Sequence, residues 1–275
     1  MISFPNAKIN LGLNVVQKRE DGFHDLETVF IPININDALE IIPSKDSTSL
    51  QFTYSGLNII GNTNENLCVR AYYLLQQDFK LPPIQMHLHK NIPMGAGLGG
   101  GSADGAFTLK ILNSLFNLEL TNTDLESYAL KLGSDCPFFI QNKPCFATSR
   151  GEVMQPIEID LKGYEIVLVN PNIHISTAKA FSNITPGIPK KSILEIVQQP
   201  INTWKNELKN DFEKSLSNNY AVIEHIKNLL YHQGAIYASM TGTGSTVFAI
   251  FKNEEQKPKI ELPKEYQVYF TKIII

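Results

Sequence analysis

The sequence predicts a mixed α+β protein of two lobes, and three observations predict it. The first sixty residues alternate and carry β-branched side chains as strands do. A strand, a glycine-rich loop and a helix follow one another between residues 84 and 116. Strand-like segments then return on both sides of a polar stretch, Gly151 to Lys162, which carries Pro156. That stretch reads as a boundary between a 1–155 domain and a 156–275 domain, and the order of elements fits α+β packing.

Each element has its own signal. Lys8 to Val16 alternates, Thr28 to Ile35 is β-branched, and Ala38 to Ile42 is a short apolar run before Pro43. Asn66 to Gln77 reads as a helix, and Ile84 to Lys90 alternates as a strand. Ala103, Ala106, Phe107, Ile111, Leu112 and Leu115 recur at helical spacing over residues 102–116. Thr123 and Glu126 form a capping-box pattern ahead of an apolar face at Leu125, Tyr128, Ala129 and Leu132, with Gly133 as the stop. Phe138–Ile140 and Cys145–Thr148 read as strands, and Tyr164–Val169 as a buried one. Helices follow over Ser192–Gln198 and Tyr220–Tyr231. A second glycine motif lies within Ala235–Phe251, and Tyr266–Ile275 closes the chain as a strand.

Composition narrows the function. The chain has 275 residues, 43% of them hydrophobic and 19% charged, enough for a substantial core. Lys and Arg number 24 against 27 Asp and Glu, a net charge of −3. That balance argues against a nucleic-acid partner. No stretch is long and apolar enough to span a bilayer. The three cysteines are odd in number and lack Cys-x-x-Cys spacing, which argues against a disulfide framework or a zinc site. The opening residues lack the charged and apolar regions of a signal peptide. The expectation is a cytoplasmic protein.

The loop Pro93-Met94-Gly95-Ala96-Gly97-Leu98-Gly99-Gly100-Gly101-Ser102-Ala103 is the richest signal. Glycine reaches positive φ without a Cβ penalty, so successive amides can converge on one anion. A helix N-terminus directly after such a loop suits phosphate. A Walker loop would need Lys before Ser102, a dinucleotide fingerprint would follow its strand directly, and a protein-kinase loop would need His-Arg-Asp downstream. None of these fits. A nucleotide site remains.

Individual residues carry two readings. Asp135, between Gly133 and Pro137, is an N-cap or a catalytic carboxylate. Lys8, on a strand, is a solvated face residue or a functional cation. Ser102 suits an N-cap, a phosphate donor or a Mg²⁺ ligand. His87 and His89 share a strand face, but without a third ligand they read as structural.

These residues resemble a known family. Pro93–Asp104 resembles the second motif of the GHMP kinases, Asn6–Leu13 the first, and Met240–Phe248 the third. Arg19–Phe30, Lys131–Phe139 and Asn210–Glu213 are similar to the branch acting on a cytidine-diphosphate ester of methylerythritol. The resemblance implies two lobes with the active site in the cleft between them, and ATP-dependent phosphorylation of a 2-hydroxyl with Mg²⁺ in isoprenoid precursor synthesis. It implies Asp135 as base, Lys8 as its partner, and the 93–103 loop around the triphosphate. Asn66 and Lys90 would meet adenine, and Asn10 the polyol. Phe23 and Phe181 would sandwich cytosine while His24 reads its edge. Phe23 stands where tyrosine is more frequent, and Ser182 where some members carry a basic residue. The implied partners are small molecules, with the protein a monomer or homodimer. The competing readings are another GHMP kinase, with a mevalonate- or homoserine-type substrate, and a non-catalytic nucleotide-binding protein of this fold.

Overall fold

The computed structural model describes residues 1–45, 48–215, 220–253 and 260–274. Its strands are β1 (Ile2–Ser3), β2 (Asn6–Lys18), β3 (His24–Asn36), β4 (Ala38–Pro43), β5 (Gln51–Gly56), β6 (Ile84–Lys90), β7 (Cys145–Thr148), β8 (Val153–Pro156), β9 (Tyr164–Asn170), β10 (Tyr237–Met240), β11 (Val247–Lys252) and β12 (Gln267–Thr271). Its helices are α1 (Leu67–Gln76), α2 (Gly100–Leu115), α3 (Asn122–Leu132), α4 (Phe138–Gln141), α5 (Thr177–Ser182), α6 (Ile193–Val197), α7 (Ile201–Glu207), α8 (Phe212–Ser215) and α9 (Tyr220–His232). Two compact units interleave along the chain. The first holds Met1–Ala7, Ile35–Met94 and Gly99–Asn142; the second holds Lys8–Asn34, Gly95–Leu98 and Lys143–Ile275.

In the first unit a sheet of order β1-β4-β6-β5 is accompanied by α1, α2 and α3, with α2 packed on both of the others. β5 runs parallel to β6, whereas β4 is antiparallel to it. Alternation along β6 buries Ile84, Met86 and Leu88 on one face and turns Gln85 and His89 outward. Lys90 falls on the buried face by the same parity, a placement that matters below.

Two sequence expectations shift here. The capping box of α3 is Thr121 with Asp124, two residues earlier than expected. Thr121 Oγ1 accepts the Asp124 amide at 3.2 Å, and Asp124 Oδ2 accepts the Thr121 amide at 2.9 Å. Gly133 does end α3, but in an extended conformation (φ 172°) rather than a left-handed one. Phe138–Ile140 forms the helical turn α4 instead of a strand. Amides of Phe139 and Ile140 reach back to the carbonyls of Cys136 and Pro137, and a three-residue apolar run has no periodicity to tell the two states apart.

The second unit holds two further four-stranded sheets, β2-β3-β7-β8 and β10-β11-β9-β12. β9 lies between β11 and β12 and pairs antiparallel with both. Its run Ile166-Val167-Leu168-Val169 is wholly buried, as a central strand requires. Ile223, Ile226 and Leu230 of α9 pack into the same core with Val167, Val169 and Val247. β8 lies inside the polar stretch 151–162. The closing strand is shorter than expected, ending at Thr271, and Ile275 lies outside the described residues.

Candidate active site

The glycine loop adopts left-handed backbone at Gly95, Gly97 and Gly99 (φ 64°, 79° and 70°). At Gly97 the requirement is also steric, since a Cβ there would stand 2.1 Å from the Thr241 carbonyl oxygen. Gly99 caps α2 with no side-chain bond, so Ser102 is not the N-cap but a first-turn residue. The leading amides of α2 lack intrahelical acceptors and sit at the positive end of its dipole. Gly101, in that first turn, is exposed, and a Cβ added there would meet nothing within 4 Å.

The Ser102 hydroxyl lies near the Cys136 thiol. Burial pushes that thiol up to about 12, with the Ser102 hydroxyl opposing the rise and the Asp135 charge adding to it. The turn carrying Asp135 therefore lies beside the first turn of α2, within the first unit. Asp135 is half-buried there. The cap of α4 is Pro137, so the capping reading of Asp135 does not hold.

Lys90 is buried in the first unit, its ammonium bonded to Asp37 Oδ2 and, at 2.6 Å, to Asp104 Oδ2. Asp37 Oδ1 accepts the amides of Asn91 (2.6 Å) and Ile92 (2.8 Å). The cluster thus ties the end of β6 to the segment before β4 and to α2. Burial opposes charge on Lys90, but Asp104 and Asp37 more than offset it and raise its pKa. Asp104 is pushed up to about 7, first by burial, with Lys90 lowering it and Asp37 raising it. Two carboxylates share one cation, and Asp104 Oδ1 has no hydrogen-bond partner. Asn66 caps α1, its Oδ1 accepting the Cys68 amide at 2.9 Å.

Lys8, in the second unit, is not a solvated face residue: it is 3% exposed. Its Nζ donates to Asn10 Oδ1 at 2.6 Å and lies 4.8 Å from the centre of the Phe30 ring. Asn10 Nδ2 donates to Thr28 Oγ1 at 2.9 Å, and the Thr28 hydroxyl donates to the Gly12 carbonyl at 2.6 Å. Thr241 Oγ1 accepts the Asn10 amide at 3.0 Å and faces Gly97 O (3.1 Å) and Asn10 Oδ1 (3.3 Å). The structure joins Lys8 and Asn10 and adds two threonines that sequence reasoning missed as side chains.

The aromatic candidates also gather in the second unit. His24 stacks on Phe181 with centroids 5.0 Å apart and planes 26° from parallel. Phe181 meets the Phe212 ring edge-on at 4.8 Å. Phe23 is 52% exposed and carries the Arg150 guanidinium 4.8 Å from its centre, a neighbour no sequence pattern announced. Burial lowers the pKa of His24, and Lys18 lowers it further, so a neutral imidazole with one donor and one acceptor is favoured.

His87 bonds Thr53 Oγ1 and Ser55 Oγ at 2.8 and 2.9 Å, and His89 bonds Ser55 at 2.9 Å. Among the described residues no three His, Cys, Asp or Glu side chains group as a metal site. No helix among them is long and apolar enough to cross a membrane.

Known proteins share this chain's sequence and fold. The GHMP kinases N terminal domain matches residues 66–143, and the GHMP kinases C terminal domain matches residues 192–262. A 4-diphosphocytidyl-2-C-methyl-D-erythritol kinase of Bacteroides fragilis is 55% identical over 262 residues, covering 95% of this chain and 96% of that protein. The chain belongs to the 4-diphosphocytidyl-2-C-methyl-D-erythritol kinase family of GHMP kinases. A second family member, from Cytophaga hutchinsonii, is 49% identical over 93% of this chain and 94% of its own. A crystal structure of a 4-(cytidine 5'-diphospho)-2C-methyl-D-erythritol kinase superposes with a TM-score of 0.78 at 29% identity, covering 90% of this chain and 89% of that one. The mevalonate kinase of Methanococcus jannaschii shares the fold at a TM-score of 0.69 and 16% identity, over 100% of this chain and 98% of its own. The α+β class and the family resemblance read from the three motifs are thus those observed.

Proposed function

We propose that this chain transfers the γ-phosphoryl group of Mg-ATP to the 2-hydroxyl of 4-diphosphocytidyl-2-C-methyl-D-erythritol. The observation that carries the reading is 55% identity to a kinase of that name along 95% of the chain. Further support comes from a glycine-rich helix N-terminus with no side-chain cap, which suits an anion, and from Lys8 and Asp135 in the sequence.

In this reading the leading amides of α2 would hold the triphosphate, and Ser102 would donate its hydroxyl proton to a phosphate oxygen or ligate, through its oxygen, the magnesium that arrives with ATP. Asp135 takes the proton of the attacking hydroxyl, a contribution worth ~10²–10⁴ in rate. The Lys8 ammonium stabilises charge on the nucleophile. Orientation and charge neutralisation carry much of such a reaction. The pyrimidine stacks against Phe23 and Phe181, and because stacking tolerates any base, neutral His24 supplies the edge contact. His24 now lies over Phe181, so base binding turns its ring aside or places the base beyond it. Asn66 and Lys90 belong to the adenine side, with Lys90 acting through its backbone because its ammonium is held by two carboxylates. Three unbridged, buried cysteines fit the reducing cytoplasm in which we place the enzyme.

The test is ADP release from Mg-ATP with four alcohols: the cytidine-diphosphate ester, free methylerythritol, mevalonate and homoserine. Turnover confined to the first is expected. Turnover with a base-free alcohol would keep a GHMP kinase with another substrate. ATP binding without turnover on any of them would favour a non-catalytic protein of this fold.

A further inference from the structure

The segment Asn210-Asp211-Phe212-Glu213 joins β2, the 239–242 turn and Phe181 within the second unit. Asn210 is 2% exposed. Its Nδ2 donates to Met240 O at 2.8 Å and to Gly242 O at 2.9 Å, the two carbonyls flanking Thr241, while its Oδ1 accepts the Phe212 amide at 3.0 Å. Asp211 Oδ2 accepts the Val15 amide at 2.9 Å, and backbone bonds join Leu13 to Lys209 and Asp211, fastening the segment to β2. Phe212 backs Phe181. Glu213 takes the Met240 amide (2.8 Å) and the Ser239 hydroxyl (2.9 Å) on Oε1 and the Lys227 ammonium (2.6 Å) on Oε2. The turn that presents Thr241 is therefore held by two buried side chains from one short segment.

We infer that Asn210 is a positioning residue for the phosphoryl transfer, acting on the Lys8 ammonium through Thr241 and Asn10. The inference rests on the role given to Lys8 above. An unclamped turn would let Thr241 leave Asn10, and the oxygen that accepts from Lys8 Nζ would lose its orientation. Positioning errors of this kind tax turnover more than ATP binding.

Thr241→Val, which keeps shape and removes the hydroxyl, tests the middle link. Loss of the neutral Thr241 hydrogen bonds, with the buried Asn10 amide left unpaired, predicts kcat lower by about 10-fold, with KM for ATP within about two-fold. Thr241→Ser, which keeps the hydroxyl, should restore turnover to within about three-fold of wild type. Because Asn210 acts through Thr241, Asn210→Ala with Thr241→Val should be no worse than the poorer single variant. Wild-type turnover by Thr241→Val, or losses that multiply in the double variant, would overturn the inference. A second readout needs no acceptor: the rate at which an amine reagent labels Lys8, followed by mass spectrometry. It should rise in Thr241→Val and return in Thr241→Ser, and an unchanged rate would also overturn the inference. If wild type itself turns over no alcohol, the proposed function fails and the labelling rates still decide this point. If Asn210→Ala does not fold, the two Thr241 variants decide it.

Discussion

Lys8 and Lys90 are both buried, 3% and 2% exposed, yet their surroundings differ in kind. Lys90 is gripped by Asp37 and Asp104, which neutralise it and spend it on joining β6 to α2. Lys8 is aimed by the amide oxygen of Asn10, itself oriented by two threonines, over the face of Phe30. Two carboxylates make Lys90 a tie between elements, whereas the Asn10 amide sets where Lys8 points, as the role proposed for it needs. The comparison teaches that burial alone does not say what a lysine does.

Exchanging each lysine for methionine sharpens the contrast. Lys90→Met leaves two carboxylates buried without their cation and should cost about 3–5 kcal/mol, read from denaturant unfolding. Lys8→Met should instead keep most of the stability and lower kcat by ~10²–10³, the scale of losing one preorganised charge stabiliser. Equal stability losses in the two variants would break the comparison. Asp135→Asn belongs with Lys8, with kcat down at least ~10² and little change in substrate affinity. Phe23→Ala should raise KM for the cytidine substrate by about 10-fold, within the range of one base–aromatic stack, and spare KM for ATP.

A last prediction concerns a slope with pH. Burial pushes the Asp104 carboxyl up to about 7 in the folded protein, above the ordinary ~3.9 of an unfolded chain. The folded state thus holds the proton longer. Its contribution is complete below pH 4, is lost as pH rises from about 4 to 7, and is level above that. Asp104→Asn removes this titration, so the difference in Tm between wild type and variant should drift against wild type across that window. Parallel Tm curves would show that Asp104 does not hold a proton in the fold.

Much of this was legible in the sequence wherever a pattern was local. The strict alternation of Ile84–Lys90 gave β6 to the residue, and the same parity placed the Lys90 side chain inward. Its partners were not legible, because Asp37 and Asp104 lie far away in sequence. The α3 cap slipped by two residues because Thr121 and Thr123 each have an acid three positions on, and only the backbone conformation decides between them. In the 241–244 turn the glycines drew attention to the backbone, whereas the Thr241 hydroxyl makes the contacts to Asn10 and Gly97. Arg150 met Phe23 with no local signal at all.

Interleaving has a consequence for how the protein is made. Lys8–Asn34 leaves the ribosome early, yet its unit is completed by strands from the far end of the chain. Asn34 donates to Lys272 O, and the Ile274 amide to Pro32 O. The nascent β2 and β3 must therefore wait, with apolar faces exposed, for almost all of synthesis before their last partners emerge. Such long-range closure is slow and open to aggregation, so the second unit closes only once the far end of the chain is made, whereas every segment of the first has emerged by Asn142.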